Sequence, residues 1–323
     1  MRHVIMILST MVLGVGAPIN DAYAKVALAQ VRINVVDQDG IVVPDAKIWG
    51  GFTCGSRMND YVLVDGMTNT NGEFVAQGKC NEFLRVDVTK EGYYQSEIKV
   101  NFLRSKADPR VVDGKWQPYG ETRTVVMKRI RNPGRCVIPK QGGQFAWNIP
   151  VFGEWIGFDF EEFDWTSPYG RGKCEDVLLK FQGKCNKRFV DYEYEMEVCF
   201  TNQLYAGAYV CDLAGYSDLK TQYCADTNGE FQTSFRFVLK KSSTQRVMEC
   251  VGQNQYLVFR TRTKVDDGGK LKAAHYGSLQ GMWSFGDKQM SVGDACFNIY
   301  ENDTNIEDGR TLRDKIKNYA KRK

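Results

Sequence analysis

Strict alternation of apolar and polar residues recurs along the first third of the chain and predicts short β-strands. Residues 31–35 (VRINV) alternate, and the turn signal DQDG follows at 37–40. Residues 83–88 (FLRVDV) form a similar run, and NTNG at 69–72 is a hairpin signal. Alternation of period two with regular turns predicts a β-sandwich of immunoglobulin-like size over 25–130.

The last two thirds of the chain also read as mostly β. Residues 190–198 (VDYEYEMEV) place apolar side chains on one face and four acids on the other. Residues 256–265 alternate in the same way with basic side chains, so we expect these two strands to lie near each other and to form cross-strand ion pairs. The predicted fold class is all-β, with a second, disulfide-rich domain over 131–310 that begins at an Asn132-Pro133-Gly134 seam.

The N-terminal segment has the pattern of a signal peptide. An apolar run at 4–17 follows Arg2, and Ala22-Tyr23-Ala24 is a small-x-small cleavage site. The run is shorter than the roughly 20 apolar residues that cross a bilayer, and we find no later transmembrane segment. Residues 1–24 are therefore predicted to be removed after Ala24, and the protein to be exported to the periplasm or the extracellular space. Residues 311–323 form a basic tail.

The charge balance and the cysteine content restrict the partners, cofactors and cross-links that the sequence predicts. The chain has 43 basic and 39 acidic residues, a balance that does not favour nucleic-acid binding. Its ten cysteines all follow residue 24, and an even number in an exported chain favours disulfides. Cys54 and Cys80 are a possible pair in the first domain, and the pairing of the other cysteines stays open. We predict no metal site and no cofactor, because the chain has no C-x-x-C pair and His275 is the one imidazole after residue 24. We expect His275 to be a hydrogen-bonded structural histidine.

Three strings in the first domain carry a family resemblance: VVDQDGIVVPDAKIWG, TNTNGEF and VDVTKEGYY, in that order. They resemble the carboxypeptidase regulatory-like domain, a transthyretin-like (prealbumin-like) sandwich. The resemblance implies a non-catalytic accessory domain. In the second domain, Gly157-Phe158-Asp159 and the DWTSPYG string at 164–170 resemble a region of secreted bacterial proteins of unknown function, which implies an architecture and no activity.

The segment GFDFEEFDWTSPYG at 157–170 interleaves four carboxylates with four aromatic rings. The apolar phase breaks between Glu161 and Glu162, and one strand cannot hold aromatics of both phases on one face. We therefore expect a bulge or tight turn at this point. Glu162-Phe163-Asp164 resembles the start of the catalytic strand of laminarinase-type glycosidases, but the second carboxylate of that motif is missing. We assign no catalytic residue.

The leading hypothesis is an exported, non-enzymatic binding protein or cell-envelope-associated protein. Its partner would be a polysaccharide or an envelope protein, and the oligomeric state stays open. Two alternatives remain: a carbohydrate-active hydrolase that uses Glu162 or Asp164, and a purely structural envelope protein. The possible ligand contacts are five residues in and beside the acidic-aromatic segment: Trp155, Asp159, Asp164, Trp165 and Tyr169.

Overall fold

The computed structural model describes residues 26–54, 60–102, 111–133, 136–137, 146–187, 190–200, 204–213, 217–249, 251–252, 254–280, 284–291 and 294–308. These residues form β-strands and no helix, which confirms the predicted all-β class. Accordingly, none of them belongs to a helix that could span a membrane. The predicted signal peptide and basic tail lie outside the described residues.

Nine strands form the N-terminal part, called the first sandwich. They are β1 (Ala27–Asp37), β2 (Lys47–Thr53), β3 (Tyr61–Met67), β4 (Glu73–Cys80), β5 (Phe83–Thr89), β6 (Ser96–Asn101), β7 (Val111–Val112), β8 (Lys115–Trp116) and β9 (Glu121–Met127). One sheet has the order β4-β1-β8-β7, with β9 also paired to β1, and the other has the order β3-β2-β5-β6. The two sheets enclose one apolar core.

Strand β1 shows why the alternating pattern was informative. Val31, Ile33 and Val35 are fully buried in the core, whereas Arg32 between them is exposed. Successive side chains of a strand point to opposite faces, so the apolar phase faces the second sheet. The predicted turn follows β1, where the Gly40 N–H donates to the Asp37 carbonyl at 3.0 Å and Gly40 has a φ of 79°.

The chain also turns at the second predicted signal, but the strands on either side do not pair. Gly72 has a φ of 73°, and its N–H donates to the Asn69 carbonyl at 2.9 Å. Strand β3 before the turn belongs to one sheet and β4 after it to the other. The turn is therefore a corner between the sheets and not a hairpin, a difference that local turn chemistry does not encode.

Fourteen strands form the C-terminal part, called the C-terminal sheets. They are β10 (Cys136–Val137), β11 (Ala146–Asn148), β12 (Trp155–Asp159), β13 (Asp164–Trp165), β14 (Val177–Lys187), β15 (Asp191–Cys199), β16 (Gly207–Asp212), β17 (Ser234–Lys241), β18 (Arg246–Glu249), β19 (Gln255–Val265), β20 (Leu271–Gln280), β21 (Ser284–Phe285), β22 (Gln289–Ser291) and β23 (Asp294–Asn298). The sheet β13-β12-β14-β15-β17-β18 and the sheet β10-β23-β20-β19-β16 share an apolar core, and β11-β22-β21 form a small third sheet.

The expected pairing of the acidic strand with the basic strand is wrong. The acidic strand is β15, which pairs with β14 and β17, whereas the basic strand β19 lies in the opposite sheet. The glutamates of β15 find cations on their true neighbours, such as Arg236, whose Nε lies 2.7 Å from Glu195 Oε1. The alternation of residues 190–198 predicts an acidic face, but it does not tell which neighbouring strands supply the basic partners.

The structure contains one disulfide among its described cysteines, Cys136–Cys296, which ties β10 to β23. Cys54 and Cys80 are free thiols, so the pair considered from the sequence is not formed. Cys80 is fully buried at the end of β4, and burial raises the pKa of its thiol to about 11. Among the described cysteines of the predicted disulfide-rich second domain, this bridge is the one that the structure forms.

The first sandwich and the C-terminal sheets meet through buried polar contacts. The Tyr94 hydroxyl donates to Glu307 Oε1 at 2.9 Å. Lys128 Nζ donates to the carbonyl oxygens of Leu219 and Thr221 at 2.9 and 2.8 Å. A buried polar group must be hydrogen-bonded to avoid a desolvation cost, so these contacts fix how the two parts approach each other.

Candidate functional site

The acidic-aromatic segment is a tight hairpin. Phe158 of β12 lies opposite Trp165 of β13, and Asp159 lies opposite Asp164, with the turn at 160–163 between them. Phe163 in this turn has a φ of 48°. The predicted break at Glu161-Glu162 is confirmed, and it brings both aromatic phases into one core. All four rings are buried: Phe158, Phe160, Phe163 and Trp165.

Asp159 organises the backbone around this hairpin. Its Oδ1 accepts the N–H of Glu161 at 2.8 Å, and its Oδ2 accepts those of Lys173 and Cys174 at 2.7 and 3.0 Å. Burial alone would raise the pKa of Asp159, but these backbone donors outweigh it and hold the pKa below its ordinary value. The carboxylate is therefore a charged internal acceptor, and it is 1 % exposed.

Arg262 of β19 binds three carboxylates at once. Its Nη2 lies 2.9 Å from Asp159 Oδ1, its Nε lies 2.9 Å from Asp176 Oδ1, and its Nη1 pairs with Glu161. The guanidinium also lies over the Phe297 ring, 4.8 Å from its centroid. Burial would lower the pKa of Arg262, but the bonds to Asp176 and Glu161 raise it, so the side chain stays charged.

The position of Arg262 depends on a backbone irregularity. The β19–β20 register shifts between Thr261 and Lys264, and Arg262 has a φ of 50°. This bulge turns the guanidinium from the outer face toward Asp176, whose pKa is raised by burial and lowered in part by Arg262. The cluster therefore clamps the hairpin, the 173–176 segment and β19 together, and its chemistry is that of a structural ion network.

The two carboxylates of the hydrolase alternative are also engaged in ion pairs. Glu162 Oε1 lies 2.7 Å from Lys173 Nζ, and Asp164 Oδ2 lies 3.3 Å from Arg171 Nε. Asp164 Oδ1 also accepts the Trp165 N–H at 2.9 Å. His275 does not approach them: its Nδ1 lies 3.2 Å from the Asn298 carbonyl oxygen. Among the described residues no group of histidine, cysteine or acidic side chains could hold a metal ion.

The five possible ligand contacts differ in exposure and fall into three groups. Trp165 is 4 % exposed, and its Nε1 donates to the Asn148 carbonyl at 2.8 Å. Trp165 and Asp159 therefore make internal contacts, and their role as ligand contacts stays a prediction. Trp155 and Tyr169 remain on the surface at 45 % and 44 % exposure. Asp164 is partly exposed beside Arg171.

The structure reveals a second surface that the sequence reasoning missed. Strands β2 and β3 present four large apolar side chains to solvent, here called the Trp49 face. They are Trp49 (50 % exposed), Tyr61 (51 %), Leu63 (56 %) and Met67 (57 %). The available signal was the common phase of residues 61, 63 and 67, but alternation does not tell which phase faces the core when the opposite phase, Val62 and Val64, is apolar too.

A glycine shapes the Trp49 face. Gly51 lies between Trp49 and Thr53 on the same side of β2, and Leu63 lies opposite it on β3. A Cβ atom at Gly51 would lie 2.6 Å from Cδ2 of Tyr61 and 2.7 Å from the Val62 carbonyl oxygen. The Tyr61 ring therefore leans over the bare glycine backbone toward Trp49, and the two aromatic side chains share one continuous patch.

Charged side chains surround this patch. Asp65 and Asp87 lie opposite Trp49 on the two neighbouring strands, and Glu97 lies opposite Asp87 on β6. Burial, and next the charge of Glu97, raises the pKa of Asp87. An open cleft of about 640 Å³ adjoins the patch, since Lys47 and Met67 line it together with Thr89 and Gln95 among others. The face combines apolar rings with hydrogen-bonding groups at its rim.

Fold and surface together define an all-β protein of packed sheets, with an exposed aromatic patch and no metal-ligating cluster among the described residues. No family model matches the chain. No curated protein matches it. The resemblance to carboxypeptidase regulatory-like domains therefore receives no support from these comparisons.

Weak likenesses to solved structures exist. Wild-type catechol 1,2-dioxygenase of Acinetobacter radioresistens has 14 % identity and a TM-score of 0.24, and the match covers 33 % of this chain and 53 % of that one. The 3-chlorocatechol 1,2-dioxygenase of Rhodococcus opacus has 15 % identity and a TM-score of 0.25, over 33 % and 62 %. A DUF3823 family protein of Parabacteroides merdae has 10 % identity and a TM-score of 0.21, over 84 % and 99 %. Likenesses at this level assign neither family nor activity.

Proposed function

We propose that the protein is an exported, non-enzymatic binding protein of the cell envelope, and that its ligand contacts the Trp49 face. The carrying observation is the exposure of four large apolar side chains on one side of a regular sheet. Contiguous exposed apolar surface rimmed by polar residues marks interaction sites in soluble proteins. Covering it releases about 25 cal/mol per Å² of apolar area removed from water.

A polysaccharide is the ligand class that suits this face best. Trp49 and Tyr61 offer flat rings to the apolar side of a sugar, and both carry a polar group for hydrogen bonding. Asp65 and Asp87 flank Trp49, where their carboxylates can accept hydrogen bonds from sugar hydroxyls. The adjoining open cleft gives an extended ligand a path across Lys47 and Met67.

The engaged carboxylates support the non-enzymatic part of the proposal. Glu162 and Asp164 each hold a basic partner within 3.5 Å, and Asp159 and Asp176 are bound to Arg262. Retaining hydrolysis needs one carboxyl group as acid and a second as nucleophile about 5–5.5 Å away. Because each of these carboxylates already has a basic partner, no pair of them is free to act as acid and nucleophile.

Retention on insoluble cell-wall polysaccharide, followed together with released reducing ends, tests the proposal. We expect the wild-type chain to be retained without release, and Trp49→Ala to bind at least tenfold more weakly. Trp155→Ala is the matched control, because its ring is similarly exposed on the other part of the chain. Loss of retention in Trp155→Ala alone would move the site to the acidic-aromatic hairpin.

Two further outcomes would contradict the proposal. Release of reducing ends that disappears in Glu162→Gln or Asp164→Asn would establish the hydrolase alternative. Absence of retention on every polysaccharide would exclude a saccharide ligand and favour a protein partner or a purely structural role. Circular dichroism of each variant verifies that the fold is intact.

A further inference from the structure

Strand β3 forms one edge of its sheet, and the backbone groups of four of its seven residues have no partner strand within the described part of the chain. The sheet order is β3-β2-β5-β6, and no described strand pairs with the outer edge of β3. Backbone bonds bracket the β2–β3 ladder, with Cys54 N donating to the Asp60 carbonyl at 2.8 Å and Thr68 N to the Ala46 carbonyl at 2.9 Å. Because bonded and non-bonded pairs alternate in an antiparallel ladder, Val62, Val64 and Gly66 bond to β2. The N–H and C=O groups of the other four residues face outward: Tyr61, Leu63, Asp65 and Met67.

This edge has little of the usual protection against pairing. Natural edge strands carry charges, proline or bulges that discourage another strand from adding. The opposite edge of the same sheet, β6, carries Glu97 and Lys99, and the edge strand β18 carries Arg246 and Glu249. Strand β3 (YVLVDGM) carries one charge, Asp65, and its seven residues pair with β2 in continuous register.

The strand is complementary to itself. We propose that β3 pairs antiparallel with β3 of a second copy of this chain, with Val64 opposite Val64 of that copy. In this register Tyr61 lies opposite Met67 of the second copy, and Leu63 lies opposite Asp65. Each of these pairs brings together two residues whose backbone groups face outward, which gives about eight inter-chain hydrogen bonds. Tyrosine with methionine is a favourable sulfur–aromatic pair, and no like charges lie opposite each other.

Neighbouring registers are less favourable. A shift by one residue would set outward backbone groups against groups that already bond to β2. A shift that centres the pairing on Asp65 would place the two Asp65 carboxylates opposite each other, which is destabilising. A shift that centres it on Leu63 would leave Met67 opposite a residue before the start of β3. The Val64 register uses all four outward residues of both strands.

Such a dimer would enlarge the Trp49 face. An antiparallel pairing related by a two-fold axis perpendicular to the sheet keeps the outer faces of both copies on the same side. The two patches would then form one surface across the junction. The dimer and the Trp49 face share side chains of β3, but the dimer needs no ligand, because its hydrogen bonds come from the outward backbone groups of β3.

A charge-swap experiment tests both the dimer and its register, without any polysaccharide present. Sedimentation equilibrium of the full exported chain should show a concentration-dependent mass of twice the monomer. Leu63→Asp places an acid opposite Asp65 of the second copy and should weaken dimerisation at least tenfold. Adding Asp65→Lys to Leu63→Asp sets opposite charges against each other and should restore the dimer. Both side chains are exposed in the single chain, so neither change disturbs the core.

Hydrogen exchange provides a second readout. The amides of Leu63 and Asp65 should become protected only at concentrations where the dimer forms. A chain that stays monomeric at all concentrations would overturn the proposal, including the case in which β3 instead accepts a peptide of another protein. A dimer that tolerates Leu63→Asp, or one that the double variant does not restore, would overturn this register. Failure of Trp49→Ala to alter polysaccharide retention leaves these results unaffected, so the two proposals fail separately.

Discussion

The hydroxyl of Tyr94 in the first sandwich donates to Glu307 Oε1 at 2.9 Å, a contact between residues 213 positions apart. Glu307 also accepts the backbone N–H groups of Arg131 and Asn132, at 2.9 and 2.7 Å. Burial, and next the charge of Glu307, raises the pKa of Tyr94, so the phenol remains a donor. One buried carboxylate thus joins the last part of the described chain to the first sandwich and to the segment between the two parts.

Removing the Tyr94 hydroxyl should weaken this junction. Tyr94→Phe leaves the Glu307 carboxylate with two donors, and loss of a buried hydrogen bond to a charged group costs about 1.5–3 kcal/mol. Chemical denaturation followed by tryptophan fluorescence measures the free energy of unfolding. Tyr93→Phe is the matched control, because its ring lies under Arg129 and phenylalanine keeps that contact. Equal effects of the two variants would contradict a role for the Glu307 bond.

Lys128 should give the stability a distinct pH dependence. Burial lowers its pKa from 10.5 to about 8. Between these values the unfolded chain binds more protons than the folded chain, so the Lys128 contribution raises stability as the pH rises. From pH 7.5 to 9 the gain is about 1 kcal/mol. Unfolding of the wild type and of Lys128→Met across this range isolates the effect, and identical slopes for the two chains would contradict it.

Removing the Arg262 guanidinium should lower the stability of the protein strongly. Arg262→Met leaves Asp159 and Asp176, both nearly fully buried, without their shared cation. Loss of one partner of a buried ion pair destabilises a protein by about 3–5 kcal/mol. Thermal unfolding should show a large fall in midpoint, whereas Arg236→Met, which removes an exposed partner of Glu195, should change little. A similar midpoint for both variants would argue against the clamp.

The disulfide should contribute strongly, because it closes a long loop. Cys136 and Cys296 are separated by 160 residues. The chain-entropy relation gives about 5 kcal/mol of stabilisation for a loop of this length. The double variant Cys136→Ala with Cys296→Ala should lose most of this amount in chemical denaturation. Cys54→Ala, which removes a half-buried free thiol, is the control and should lose far less.

Individual segments show which features of the fold the apolar–polar pattern predicted correctly and which it did not. The alternation at 31–35 gave the right faces for β1, and the phase break at Glu161-Glu162 gave the right place for the turn between β12 and β13. The same pattern did not show that Trp165, a possible ligand contact, packs against Phe158 and Phe181 in the core. The turn brings aromatic residues of opposite phase into one core. There Phe160 packs against Phe259 of β19, a strand that lies much later in the sequence.

The Trp49 face and the ion pairs of Arg262 are two features that the sequence alone did not predict. Both phases of β3 are largely apolar, so alternation could not decide that Val64 faces the core while Leu63 faces solvent. The alternation of residues 256–265 predicted that Arg262 pairs with the acidic strand at 190–198, but the bulge in β19 turns it toward Asp176. In both cases the local pattern leaves the orientation of the side chain open, because the residues that decide it belong to another strand.

The sequence by itself determined the all-β class, the faces of the strands with one apolar phase, and several turns, because strand periodicity and turn chemistry act over a few neighbouring residues. The tertiary structure alone decided which strands pair, which cysteines bond and which aromatic rings reach solvent. These properties depend on contacts between segments as much as 213 residues apart, such as Tyr94 and Glu307. Those contacts are selected by the shapes of the packed side chains and by the need to pair buried charges. The apolar–polar alternation of a single strand does not encode either requirement.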